Sequence, residues 1–97
     1  MPTYEATRRF LRDFDSLTPQ QKRAFLGSVQ KFVDDLERGG TFRKGLRVRR
    51  GEGTASVGEM TWAPDGRATF EFGPAKRESE PHVVWRRCGS HDVFRSP

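Results

Sequence analysis

Ninety-seven residues, a third of them apolar, suffice for one domain with one modest core built around eight phenylalanines and two tryptophans. Eighteen Lys/Arg against thirteen Asp/Glu leave a net charge of +5, and with fourteen arginines to four lysines the expected partner is a polyanion or an acidic protein. The single cysteine, Cys88, excludes an internal disulfide and a cysteine-based zinc site, and no stretch has the length of a signal peptide or membrane span, so a cytoplasmic chain is expected.

The charge surplus is uneven. Residues 1–40 hold seven basic and six acidic groups, whereas residues 41–97 hold eleven and seven. In residues 4–17, Phe10, Leu11, Phe14 and Leu17 recur three or four apart, which predicts one helical face. Thr18-Pro19-Gln20-Gln21 then restarts a helix: Thr18 suits the cap, Pro19 the first turn, and Gln21 completes a capping box. Phe25, Val29, Phe32, Val33 and Leu36 form the stripe of this second helix, and Gly39-Gly40 ends it. Two helices joined by so tight a break form an antiparallel hairpin.

After Gly40 the period falls to two. Residues 46–49 alternate apolar with basic and predict a strand. Gly51 to Gly53 reads as a turn, residues 56–63 as a second strand and Pro64-Asp65-Gly66 as another turn. Residues 67–72 alternate again, with Ala68, Phe70 and Phe72 inward. The polar residues 74–81 read as a loop. Residues 82–87 form the last strand, interior because it is apolar at consecutive positions. The expectation is an α+β domain spanning 1–97, a helical hairpin on a four-stranded, mostly antiparallel sheet.

Three groups of residues carry candidate chemistry. Arg43-Lys44-Gly45-Leu46-Arg47-Val48-Arg49-Arg50 has five cations in eight residues. On a strand, Arg47 and Arg49 would share a face about 6–7 Å apart, near the spacing of successive phosphates, though a charged edge strand would read the same way. Arg67 follows a turn, either at the sheet's rim as a phosphate contact or as a plain surface arginine. Last comes Trp85-Arg86-Arg87-Cys88-Gly89-Ser90-His91-Asp92-Val93-Phe94. It places an imidazole, able to give and take a proton near neutrality, beside guanidinium groups and an aromatic. Asp92 either orients the imidazole or caps the turn, and Phe94 either stacks on a base or fills the core. Trp62, Trp85 and His82 read as structural; Glu59 and Glu71 read as a base or as ion-pair partners. No phosphate-binding glycine motif or metal-ligand spacing appears, so neither a nucleotide cofactor nor a metal is expected.

In this order the elements resemble the RelE/ParE superfamily of toxin–antitoxin toxins. The 85–94 segment is similar to the Gly-Thr-His…Phe ending of YafQ-like messenger-RNA interferases, Phe42-Arg43-Lys44-Gly45-Leu46-Arg47-Val48 to the family's basic segment, and Gly66-Arg67-Ala68-Thr69-Phe70 to its sheet arginine. The resemblance implies His91 in proton transfer and Arg67 at the scissile phosphate. It implies RNA contacts for Arg43, Lys44, Arg47, Arg49, Arg86, Arg87 and Phe94. It further implies a ribosome-dependent endoribonuclease that cuts messenger RNA by attack of a 2′-hydroxyl, silenced by an acidic antitoxin, without membrane or small-molecule cofactor. ParE-like members poison DNA gyrase instead, so a non-enzymatic binding protein on this fold is the alternative.

Overall fold

The computed structural model describes residues 2–50 and 57–97. In chain order it comprises β1 (Thr3–Ala6), α1 (Arg8–Asp15), α2 (Pro19–Glu37), a 3₁₀ turn (Lys44–Leu46), β2 (Arg49–Arg50), β3 (Val57–Ala63), β4 (Gly66–Arg77), β5 (Glu80–Gly89) and a C-terminal 3₁₀ turn (His91–Arg95). The five strands form one sheet in the order β1-β5-β4-β3-β2, antiparallel except for the β1–β5 pair. The α+β class and the helical hairpin on a mostly antiparallel sheet stand as expected from the sequence.

The helix starts follow local chemistry. The Thr18 hydroxyl accepts from the Gln21 amide at 3.1 Å, and the Gln21 side chain accepts from the Thr18 amide at 2.8 Å, which completes the capping box. At the far end of α2, Gly39 and Gly40 take φ of 119° and 83°, values L side chains rarely adopt, and so end the helix. Phe10, Phe25 and Phe32 pack onto Met60, Trp62, Ala68, Phe70, Val83, Trp85 and Cys88 of the sheet. Phe25 meets both tryptophans edge-on, 6.0 Å from Trp62 and 5.7 Å from Trp85, while Phe10 and Phe32 meet Trp85 at a tilt. Trp62 and Trp85 are therefore core residues. Of the two predicted stripes, Leu11 turns out to solvent at 54% exposure.

Three element expectations are corrected. Helix α1 starts only at Arg8, because residues 3–6 pair in parallel with β5, Thr3 opposite His82 and Ala6 opposite Trp85. Thr7 manages the switch: its amide donates to Trp85, and its hydroxyl accepts from the Phe10 amide and donates to the Arg86 carbonyl. Residues 74–81 are a hairpin rather than a loop, since β4 runs to Arg77 and β5 starts at Glu80. Their polarity reflects a two-stranded extension that leaves the core. Residues 46–49 do not form a strand: Leu46 closes the 3₁₀ turn, Arg47 is left-handed at φ 47°, ψ 44°, and β2 keeps only Arg49–Arg50. The turn expected at Gly51–Gly53 and the start of the strand at Ser56 lie outside the described residues. Phe72 is exposed (40%), its ring 5.6 Å from Phe70 at the core's margin.

Candidate active site

Alternation along β3 sends Met60 and Trp62 into the core and Glu59 and Thr61 to the opposite face. Register carries that face across the sheet: Arg49 lies opposite Glu59, Thr61 opposite Arg67, and Arg67 opposite Gly89, after which the chain turns through Ser90 into His91. Together Arg47, Arg49, Glu59, Thr61, Arg67, His91 and Phe94 line one cavity of about 130 Å³.

Each side chain has a local cause for its place. Nη1 of Arg67 donates to the Gly66, Ala63 and Pro64 carbonyls at 2.9, 3.2 and 3.3 Å, so the turn holds the guanidinium. Nε and Nη2 carry no such bond among the described residues and remain for a ligand. The Trp62 indole in turn donates to the Arg67 carbonyl at 3.0 Å. Ser90 starts the C-terminal turn by accepting from the Asp92 amide, and Val93 anchors that turn at 3% exposure. His91 is exposed, its ring meeting Phe94 edge-on at 5.1 Å. Phe94 is half-buried and walls the cavity, while Val93 takes the core position. The Asp92 carboxylate lies 3.9 Å from Arg95 and makes no bond to the imidazole, so it does not orient the ring, and the turn is capped by Ser90 instead.

Other predicted residues lie apart. Arg43 forms a fork on Asp35, Nε and Nη2 donating at 2.9 and 2.8 Å while its own amide adds 2.9 Å. The Arg43 side chain, then its backbone N–H, hold the Asp35 carboxyl down at about 2. Arg87 grips Asp13 of α1 at 2.6 and 3.1 Å, which raises the arginine's own pKa. Arg86 donates to the Pro97 carbonyl at 3.0 Å and to Glu71 at 3.3 Å. These three guanidiniums hold elements together. Lys44 is exposed and lines neither this cavity nor its neighbour.

His82 is structural, 4% exposed, with Nδ1 2.7 Å from the Thr3 hydroxyl and Nε2 2.9 Å from Glu5. An ionised Glu5 only accepts, so Nε2 is the donor. Burial pushes the Cys88 thiol up to about 12, which removes it as a nucleophile. Glu59 joins the cavity, and Glu71 does not. Sequence alternation gave both the same standing, and only register separates them. No group of residues able to hold a metal ion occurs among the described residues.

No protein-family model and no curated protein matches the sequence. Solved structures do. YafQ from E. coli strain BL21(DE3) superposes with a TM-score of 0.64 at 9% identity, covering 97% of this chain and 98% of that one. The E. coli DinJ-YafQ complex matches at 0.66 and 10% identity, covering 97% and 98%. The YoeB/ParE toxin from Agrobacterium tumefaciens matches at 0.67 and 13%, covering 92% and 98%. This chain has the fold of the YafQ and YoeB/ParE toxins.

Proposed function

We propose that this protein is the toxin of a toxin–antitoxin pair and an endoribonuclease that cuts messenger RNA on the ribosome. The observation that carries this reading is the 130 Å³ cavity, which brings one imidazole, one carboxylate and three arginines together. In this reaction Glu59 takes the proton from the ribose 2′-hydroxyl as its oxygen attacks the adjacent phosphorus. The P–O5′ bond breaks, and protonated His91 delivers its proton to the departing 5′-oxygen. The products are a 2′,3′-cyclic phosphate and a free 5′-hydroxyl. Arg67, fixed by its turn, meets the extra negative charge of the pentacoordinate phosphorane, with Arg47 and Arg49 beside it.

The cavity is small, about 130 Å³, and His91 is exposed. That suits an enzyme whose substrate is positioned and shielded by a larger assembly, here the ribosome in the cytoplasm. In the DinJ-YafQ toxin–antitoxin complex a toxin of this fold is bound by its antitoxin. The +5 charge of the present chain favours an acidic partner of that kind.

Induced expression in a bacterial host, followed by mapping of messenger-RNA 5′ ends, tests the reading. Growth arrest with new ends inside coding regions is expected, both lost in His91→Ala. Arrest without new ends, retained in that variant, would transfer the protein to the non-enzymatic alternative, of which a gyrase poison is one form.

A further inference from the structure

A larger cavity, about 430 Å³, lies between α2, the 3₁₀ turn at Lys44–Leu46 and the β3–β4 turn. It is contiguous with the catalytic cavity, since Arg47, Thr61 and Arg67 line both. Its wall includes four cations, Lys31, Arg43, Arg47 and Arg67, and no acid. Asp35 neutralises Arg43; Lys31, Arg47 and Arg67 have no carboxylate partner among the described residues. Trp62 and Leu46 add apolar surface.

Size separates the two cavities. At 130 Å³ the catalytic one takes a phosphodiester but not a nucleoside, whereas 430 Å³ falls within the range of small-ligand sites. The backbone is shaped to join them. Arg47 adopts a left-handed conformation that L residues seldom take, held by its amide on the Lys44 carbonyl at 3.0 Å, and so faces both spaces.

We propose that this second cavity binds the nucleotide next to the cleaved phosphodiester, with Lys31 of α2 contacting that nucleotide's phosphate. The ligand is single-stranded RNA; the inference rests on the ribonuclease reading for its substrate class but not for its test.

The experiment measures binding of the purified full chain to an RNA trinucleotide made uncleavable by 2′-O-methyl groups on its first two sugars. Wild type, Lys31→Gln and Lys31→Arg are compared across salt concentrations. Lys31 is exposed in α2 and Gln is an equally good helix former, so Lys31→Gln should leave the Tm unchanged. Lys31→Gln should bind about fourfold more weakly at 0.15 M salt and flatten the slope of log K against log[salt] by about 0.7, one phosphate contact. Lys31→Arg should restore both.

Equal affinity for wild type and Lys31→Gln overturns the subsite, as does absence of binding by the wild type. An equal loss against a polyglutamate peptide of matching charge also overturns it and gives the cavity to acidic protein. The ribonuclease reading is judged separately by 5′-end mapping: a Lys31 effect in a chain that cuts nothing keeps the subsite and removes the cleavage.

Discussion

At the scale of single residues, Glu59 and His91 are side chains of the same cavity with different expected signatures. Replacing Glu59 by Gln keeps its shape and removes its basicity. The cleavage rate should fall by about 10²- to 10⁴-fold with the Tm unchanged, read by single-turnover cleavage on programmed ribosomes. Arg67 is held through Nη1 while its other nitrogens stay open. Lysine preserves the charge but has no fork to bond the turn and a phosphate together, so Arg67→Lys should lose most of the activity that Arg67→Ala loses. Arg87→Ala should act on stability: it strips Asp13 of two charge-assisted bonds and should cost about 2 kcal/mol in urea denaturation. At this scale the sequence marked His91, Phe94, Arg47, Arg49 and Arg67 as candidates on the same footing as Arg43, Arg86 and Arg87. The fold brings the first five to one cavity and ties the last three to Asp35, Glu71 and Asp13. Composition marks arginine as a phosphate ligand wherever it occurs, and only a carboxylate supplied from elsewhere in the fold converts it to a clamp.

At the scale of elements, the β3–β4 turn couples packing to the site. A Cβ on Gly66 would stand 2.6 Å from the Trp62 ring, so Gly66→Ala must displace the indole whose Nε1–H holds the Arg67 carbonyl. We expect about 1–3 kcal/mol of destabilisation by thermal unfolding, with activity falling even below the Tm. The link between α2 and the following loop is electrostatic. The folded Asp35 carboxyl titrates near 2, below its ordinary 3.8, so its ionised form favours the native state. That stability is complete above about pH 4 and drains away as the pH falls toward 2. Urea midpoints measured between pH 5 and 2 should decline more shallowly in Asp35→Asn than in wild type. Local chemistry made the α2 boundaries readable, through a capping box at one end and two glycines at the other. Strand β1 escaped notice because four residues carry no period, and its pairing with β5 joins positions 79 apart.

For the whole molecule, β1 closes the sheet and gives the buried His82 its partners. Deleting residues 1–6 strips the imidazole of Thr3 and Glu5 and turns β5 into an edge strand. The Tm should fall by roughly 10 °C or more in a calorimetric scan. No helix among the described residues is long and apolar enough to cross a membrane. By itself the sequence determined the α+β class, both helices, the β3–β4 turn, the cationic bias and the histidine-bearing C-terminal turn. Each of these is written in short-range chemistry: periodicity, caps, turn residues and charge. Tertiary structure alone decided which arginines face the cavity, that Glu59 rather than Glu71 joins His91, and that Arg47 borders two cavities. Those outcomes depend on strand register and on a left-handed backbone at one residue, and no run of neighbouring residues encodes which distant strand lies alongside.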